Sequence, residues 1–270
     1  MTSRQLDGVY QKLIRAEEHI SALDDEVRVY LKSDPYKFII ENRGNKCVVV
    51  MNILREPSIG LSILLGDCLH NLRSSLDYLA CEAVLLNHGT LTKKTCFPIF
   101  DDPTKYAKLS HAGINGMSDQ AKTLIEGMQP YHTGDAADRH PLWILYTLSN
   151  IDKHRNIHLT AGKMDLVTVR MRINGTMVIR PVDILPRFLH SGILCNKTEV
   201  AEFPLTVEEA SDFNVEVEAQ GRPFVALNES GAGSQQPIDR LLRQILDLIR
   251  QVALPLLEPL FNQPRNSISQ

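Results

Sequence analysis

The sequence predicts an α+β protein with a mainly α-helical bundle core and a small antiparallel β-layer inserted before the last helix. Two observations lead to this fold class. Apolar residues recur at helical three-and-four spacing through the first 160 residues and again near the C-terminus, whereas β-rich segments concentrate between them. The pattern indicates a helical domain at 1–160, an antiparallel β region at 163–228 and a C-terminal helix at 237–262 that packs back on the helical domain.

The helical domain is expected to begin with an amphipathic helix over 5–31, which ends before Pro35. A short β-hairpin near 38–54 follows, because two β-rich segments flank the turn sequence Asn-Arg-Gly-Asn. Helical spacing then returns in four segments: 58–86, 103–111, 118–128 and 139–156.

The β region carries the strongest hairpin signal of the chain, Asn174-Gly175, between the strand-like segments 164–173 and 176–179. Further strands are expected at 193–196, 198–203, 213–219 and 223–227. A Gly/Ser-rich segment at 230–236 is typical of a flexible linker and leads into the last helix.

Composition excludes several classes of protein. The chain has 270 residues and a formal net charge of -3, so no basic surplus draws it to nucleic acid or to anionic lipid. No apolar run approaches the roughly 20 residues that a membrane-spanning helix needs, so a membrane is not an expected partner. The five cysteines are scattered and form no C-x-x-C pair, which favours free thiols and a cytoplasmic location.

Two helical segments each place an arginine and an acid on a face that is expected to be buried. In the helix at 139–156, Asp152 and Arg155 extend an apolar face. Charged side chains are rarely buried unless they are paired or used for function. In the long helix, one row of side chains lies beside the main apolar stripe: Gly66, His70, Arg73, Asp77, Cys81 and Val84.

These charges have a structural and a functional interpretation. In the structural one, Arg73 pairs with Asp152 and Arg155 pairs with Asp77, so that reciprocal salt bridges tie two core helices together. In the functional one, Arg73, Arg155, His70 and His154 bind a small anionic ligand through bidentate and imidazole contacts. The candidate catalytic residues are the same groups with their acids: His70, Arg73, Asp77, Asp152, His154 and Arg155.

A metal site could be assembled from two histidines and two carboxylates on facing helices, which is a known arrangement in helical bundles. The candidates would be His70, Asp77, Asp152 and His154. Their spacing matches neither E-x-x-H nor H-E-x-x-H, and two neighbouring arginines would repel a cation. We therefore predict no metal, and no cofactor motif is present.

The same two segments resemble a group of uncharacterised bacterial proteins that pair a GDxLHNLRSxLD helix with an NxDKHR helix. The matching residues here run from Gly66 to Asp77 and from Asn150 to Arg155. Phe97-Pro-Ile-Phe100 and Gln129-Pro-Tyr131 also look like that group. The resemblance covers roughly residues 5 to 160, and it implies a shared helical core without an established activity.

A weaker likeness is to the HEPN superfamily, whose helical domains are often dimeric and include ribonucleases of toxin–antitoxin and phage-defence systems. Active members carry an arginine followed, after four to six residues, by a histidine. Counted from Arg73, those positions hold Tyr78, Leu79 and Ala80, so the histidine that assists RNA cleavage is absent. The likeness implies a homodimer as a candidate assembly.

The leading functional prediction is a cytoplasmic helical protein with a polar Arg/Asp/His interhelical pocket that binds a small anionic ligand or another protein. One alternative is a HEPN-like ribonuclease or a phage-defence or toxin-type effector, although the charge balance makes nucleic acid an unexpected partner. Two others are a metal-dependent hydrolase and a scaffold in which the charged network only holds helices together.

Overall fold

A computed structural model describes residues 4–173, 176–177, 187–188, 196–204, 215–228 and 236–262. It confirms the predicted α+β fold class, with a mainly helical core and small antiparallel sheets. The predicted linker at 230–235 and the turn Asn174-Gly175 lie outside the described residues, as do the strand at 193–195 and Cys195.

The core is a bundle around α2 (Ile59–Leu86), which packs against α1 (Asp7–Lys32) and α6 (Pro141–His154). Helix α1 is amphipathic, and its buried side chains recur at steps of four and three residues: Val9, Leu13, Ala16, Ile20 and Leu23. Helix α2 is buried on most of its circumference in its central turns, which is the pattern of a helix surrounded by partners.

Three short helices connect α2 to α6. They are α3 (Pro103–Leu109), α4 (His111–Ile114) and α5 (Asp119–Gly127), and a 3₁₀ segment, Pro130–Arg139, follows them. The stretch between α2 and α3 contains the buried segment Phe97–Ile99, which joins the main core. This irregular stretch is where the site described below is assembled.

Two antiparallel sheets form the β-layer within the described residues. The first has the strand order β1 (Tyr36–Asn42), β2 (Lys46–Ile53), β6 (Thr198–Pro204) and β5 (Arg187–Phe188). The second has the order β4 (Thr176–Met177), β3 (Leu159–Ile173) and β7 (Val215–Leu227). Because β2 pairs with β6, the early hairpin and the later β region share one sheet across the expected boundary near residue 160.

Most predicted strands are present, with one difference. Strands β3 and β4 pair with Ile173 opposite Thr176, as expected for a hairpin through Asn174-Gly175. The segments predicted as separate strands at 213–219 and 223–227 form one strand, β7, which follows β3 along its length. Irregularities in the β3–β7 register accommodate the Gln-Gly-Arg-Pro sequence that suggested a break.

The C-terminal helix packs back on the bundle through α7 (Ile238–Leu248), whose buried face contacts α1, α2 and α6. It continues through a π-helical turn, Ile249–Ala253, into α8 (Leu254–Phe261). Although this last segment contains prolines, Leu257, Leu260 and Phe261 are buried in the main core. Among the described residues, no helix has the length and apolar character needed to cross a bilayer.

Candidate functional site

Arg73 and Asp77 form a salt bridge within α2, one helical turn apart. The Nε and Nη2 groups of Arg73 donate to the two carboxylate oxygens of Asp77 at 3.1 and 2.7 Å. This fork-to-fork contact is the geometrically specific form of an Arg–carboxylate pair. Only 14% of the Arg73 side chain and 32% of the Asp77 side chain are exposed, so the pair is partly removed from water.

The same two side chains hold the backbone of Phe97. Nη2 of Arg73 donates to the Phe97 carbonyl at 2.7 Å, and the Phe97 N–H donates to Oδ1 of Asp77 at 3.0 Å. Both polar groups of one peptide residue are therefore satisfied by a charged pair on α2. This contact fixes the irregular segment after α2 against the helix, and the Phe97 ring is fully buried.

Gln129 completes the support of this segment, and its role could not be derived from spacing. Its amide donates to the Pro98 carbonyl at 2.9 Å and to the Ile125 carbonyl at 3.0 Å, and its oxygen accepts from the Phe100 N–H at 3.0 Å. The side chain is buried. The three sequence segments noted above, around Arg73, Phe97 and Gln129, thus converge on one structural unit.

One hydrogen-bond donor of Arg73 is not used by these contacts. Its Nη1 atom is buried and has no hydrogen-bond partner among the described residues. Buried donors without a partner are uncommon in folded proteins, and each one calls for an explanation. The edge of the guanidinium that faces away from Asp77 is therefore a candidate contact for a group that accepts a hydrogen bond.

The thiol of Cys96 lies within electrostatic range of both Arg73 and Lys153. Burial raises the pKa of the Cys96 thiol, and the positive charges of Arg73 and Lys153 act in the opposite direction. Asp77 adds to the upward shift of this pKa. Lys153 is exposed and forms no ion pair with a described residue, so its positive charge is not neutralised within this part of the chain.

Asp152 occupies a different position from the one expected. Its carboxylate lies against Gly66, where a Cβ atom would be 2.6 Å from Oδ1. Burial raises the pKa of Asp152, the negative charge of Asp67 raises it further, and His70 lowers it. The expected pairing of Arg73 with Asp152 is wrong, because the Arg73 guanidinium bonds to Asp77 and Phe97 instead.

The expectation that Arg155 extends a buried face is also wrong. The helix ends at His154, and Arg155 is an exposed C-cap residue with an extended backbone. His154 is likewise exposed. The prediction assumed that the helix continues through residue 155. Because the helix ends at His154, helical periodicity does not determine the direction of the Arg155 side chain.

His70 is exposed on the outer side of α2, and its Nε2 atom lies 3.5 Å from the Ser74 hydroxyl. The Asp152 carboxylate is close enough to His70 for their charges to interact. In the described part of the chain, no three or more His, Cys, Asp or Glu side chains are grouped so that they could hold a metal ion. The structure thus brings together Arg73 and Asp77, and separately His70 and Asp152.

A cleft with a volume of about 420 Å³ lies next to the NxDKHR segment, between the start of α2 and the chain that follows α6. Its walls include Ser62 on α2 and Asn156 and His158 after α6. The ends of the β-layer contribute Asn196 and Asn228. The sequence does not predict this cleft, because its described lining comes from four separate segments of the chain.

Comparison of the chain with known protein families, with curated proteins and with solved structures finds no match. The functional interpretation therefore depends on the residues and geometry described above.

Proposed function

We propose that this protein is a binding module for a small monoanion, such as a carboxylate, at the guanidinium of Arg73. The observation that carries the proposal is the buried Nη1 group of Arg73, which has no partner among the described residues. An anionic oxygen would accept a charge-assisted hydrogen bond from it, and such bonds are about twice as strong as neutral ones.

The other contacts of Arg73 pre-organise this donor. Asp77 and the Phe97 carbonyl hold the planar guanidinium in one orientation. A ligand therefore does not have to order a flexible side chain, which reduces the entropy cost of binding. The Nη1 atom itself is buried, and the 14% of the side chain that is exposed belongs to its other atoms.

The local charge balance favours one negative charge over two. Asp77 neutralises Arg73, so the unpaired positive charge that acts on this region, at the Cys96 thiol, is that of Lys153. Asp152 and Asp67 add negative charge near His70. A phosphate dianion would therefore meet less compensation than a carboxylate at this site.

We also propose a cytoplasmic location. The four cysteines among the described residues, Cys47, Cys68, Cys81 and Cys96, are free thiols. Free buried thiols are the usual state of cysteines in reducing compartments. This supports the location expected from the sequence.

Nuclear magnetic resonance can test the anion site directly. The side-chain Nε–H signal of Arg73 in labelled protein is followed during titration with sodium acetate and with sodium phosphate at constant ionic strength. We expect a saturable shift with acetate, and a smaller one with phosphate. Lys153→Gln should weaken acetate binding by about threefold or more, since one uncompensated charge is worth roughly 1 kcal/mol near a surface.

Lys108→Gln is the matched control, because Lys108 is exposed on α3 and has no ion pair among the described residues. It should bind acetate like the wild-type protein. An Arg73 signal that does not saturate, or equal binding by the Lys153→Gln and Lys108→Gln variants, would exclude an anion site at this guanidinium.

A further inference from the structure

The cleft of about 420 Å³ is separate from the Arg73 site and is built from different residues. We name it the α2 cleft and define it by Glu56, Ser62, Asn156, His158, Asn196 and Asn228. Its volume is in the range of sites that bind small molecules, about 300 to 1,000 Å³. It opens where the helical bundle meets both sheets, and such junctions are common positions for ligand sites.

Three asparagines, Asn156, Asn196 and Asn228, line this space. The Asn196 side chain accepts a hydrogen bond from the Ile53 N–H at 3.1 Å, which fixes its orientation and leaves its NH₂ group available. Asn228 is anchored by its backbone, whose N–H donates to the His158 carbonyl at 2.9 Å. The side chains of Asn156 and Asn228 form no hydrogen bond with a described residue. The cleft therefore offers both donors and acceptors for a ligand.

Ser62 supplies a further polar group from the helix side of the cleft. It is only 8% exposed, yet its hydroxyl has no hydrogen-bond partner among the described residues. Its Oγ atom is not among the buried atoms that lack a partner, so it keeps contact with solvent and can bond to a polar group in the cleft.

The charges around the cleft argue against an anionic ligand. Among the described residues that line it, none is a lysine or an arginine, and Glu56 contributes a carboxylate. A phosphate or carboxylate would be repelled by Glu56 without a compensating cation in the lining. A carboxylate together with amides is instead suited to hydroxyl groups. A hydroxyl donates a hydrogen bond to the carboxylate, and it can both donate to the amide oxygen and accept from the amide NH₂ group.

The remaining walls are apolar. Ile53, Pro57, Ile59 and Leu159 line the same space. They provide surface against which the C–H groups of a saturated ring can pack, while the ring hydroxyls reach the amides.

We propose that the α2 cleft binds a neutral molecule with several neighbouring hydroxyl groups, namely a monosaccharide or the ribose of a nucleoside. Glu56 accepts hydrogen bonds from two adjacent hydroxyls, and the carboxamides of Asn156, Asn196 and Asn228 bond to the others. Ser62 bonds to the ligand from the α2 side of the cleft. This site does not depend on the anion site at Arg73.

The test is a titration of the full chain with D-glucose, D-ribose and adenosine, followed through the side-chain NH₂ signals of asparagine in a ¹H–¹⁵N spectrum. Weak, saturable binding is expected, with a dissociation constant on the order of 1 mM for a ligand of this size. Binding of the two free sugars without adenosine identifies a monosaccharide site. Binding of ribose and adenosine without glucose identifies a ribose site, and both outcomes support the proposal.

Asn156→Ala and Ser62→Ala should each weaken binding by about threefold to tenfold, the effect of one lost hydrogen bond. Asn156 is exposed and forms no hydrogen bond with a described residue, so its substitution leaves the fold intact. Asn42→Ala in β1, outside the cleft, is the matched control and should bind like the wild-type protein. Lys153→Gln should also leave sugar binding unchanged, which separates this site from the one at Arg73.

Three results would overturn the proposal. The first is the absence of a saturable shift with all three probes. The second is equal binding by the Asn156→Ala and Asn42→Ala variants. The third is tighter binding of D-glucose 6-phosphate than of D-glucose, because an anion-selective cleft contradicts the charge of its lining.

Discussion

Arg73 and Asp77 show how one charged pair can have a structural and a binding role together. Their i, i+4 spacing brings the two side chains together on the helix surface. The pair then bonds to both polar groups of Phe97, which is a tertiary contact rather than a helical one. The donor that this arrangement does not use is the one that we assign to a ligand.

Substitution of Arg73 should therefore be costly. Arg73→Ala leaves the Asp77 carboxylate and the Phe97 carbonyl without their partner, and we expect a loss of about 2 to 4 kcal/mol in the free energy of unfolding. Denaturant unfolding measures this loss. Arg28→Ala, which removes an exposed i, i+3 pair with Asp25 on α1, should change stability by less than about 0.5 kcal/mol. A loss at Arg73 as small as that at Arg28 would mean that the Phe97 contact does not stabilise the fold.

Asp152, unlike Arg73, destabilises the folded protein near neutral pH. Burial and the charge of Asp67 raise its pKa in the folded protein above the value of the unfolded chain. The folded state then binds the proton more tightly, so the ionised carboxylate is destabilising above the folded pKa. This penalty fades as the pH falls through the folded pKa toward the unfolded value, about 3.9.

Asp152→Asn should consequently raise the melting temperature at pH 7, by about 1 to 3 °C for a chain of this size. The gain should shrink as the pH approaches 4. Thermal unfolding at several pH values, with the exposed Asp135→Asn as control, measures both effects. A lower melting temperature for Asp152→Asn at pH 7 would show that the carboxylate has a stabilising partner.

At the scale of elements, the contact between α2 and α6 depends on a close approach at Gly66. The nearest atoms to an added Cβ there all belong to the Asp152 side chain. Glycine normally costs a helix interior about 1 kcal/mol relative to alanine, so its presence needs a packing reason. The Asp152 carboxylate is that reason.

Gly66→Ala should be neutral or destabilising in the wild-type background, because the new methyl group displaces the carboxylate. In an Asp152→Ala background, the same change should stabilise by about 0.5 to 1 kcal/mol, the ordinary gain in helix propensity. A double-mutant cycle measures the difference. Gly127→Ala in α5, where nothing lies within 4 Å of an added Cβ, should behave the same in both backgrounds. If Gly66→Ala changes the free energy of unfolding equally in the wild-type and Asp152→Ala backgrounds, the contact between Gly66 and Asp152 is ruled out.

At the scale of the whole molecule, one apolar core joins the helices to the sheet of β3 and β7. Leu159, Val225 and Leu227 belong to the same buried cluster as the central residues of α1, α2 and α7. The early hairpin and the later strands also share a sheet. These connections across the sequence favour cooperative unfolding of the described regions.

Leu242 in α7 tests this cooperativity, because it is fully buried in that cluster. Leu242→Ala should destabilise the protein by about 2 to 5 kcal/mol. The fluorescence of Trp143 on α6 and the far-ultraviolet circular dichroism should shift together, as a single transition requires. Leu256→Ala, at a residue that is 42% exposed on α8, should cost much less. Separate transitions by the two probes would show that the bundle and the rest of the chain unfold independently.

The behaviour of the protein toward RNA follows from its overall charge and from position 78. The net charge is -3. The exposed Tyr78 occupies one of the positions after Arg73 at which an active HEPN protein would carry a histidine. We expect no cleavage of total RNA, with or without a divalent metal. Cleavage that disappears in the Arg73→Ala variant would instead support the ribonuclease alternative.

Several features were determined by the sequence alone. The apolar periodicity of residues 5–31 and 58–86 is local, and it identified α1 and α2 because helix geometry fixes which side chains share a face. The turn Asn-Arg-Gly-Asn identified the hairpin of β1 and β2, where Gly44 adopts a positive φ of 71°. The same periodicity identified Arg73 and Asp77 as charges on a face in contact with the core.

Only the tertiary structure decided what those charges contact. Arg73 reaches Phe97 and Asp152 lies against Gly66, since the path of the irregular chain after α2 and the crossing of α2 with α6 bring these groups together. The α2 cleft likewise requires Ser62, Asn156 and Asn228 to meet from distant parts of the sequence. Periodicity specifies the direction of a side chain on its own helix, but the partner in that direction is set by the packing of the other elements.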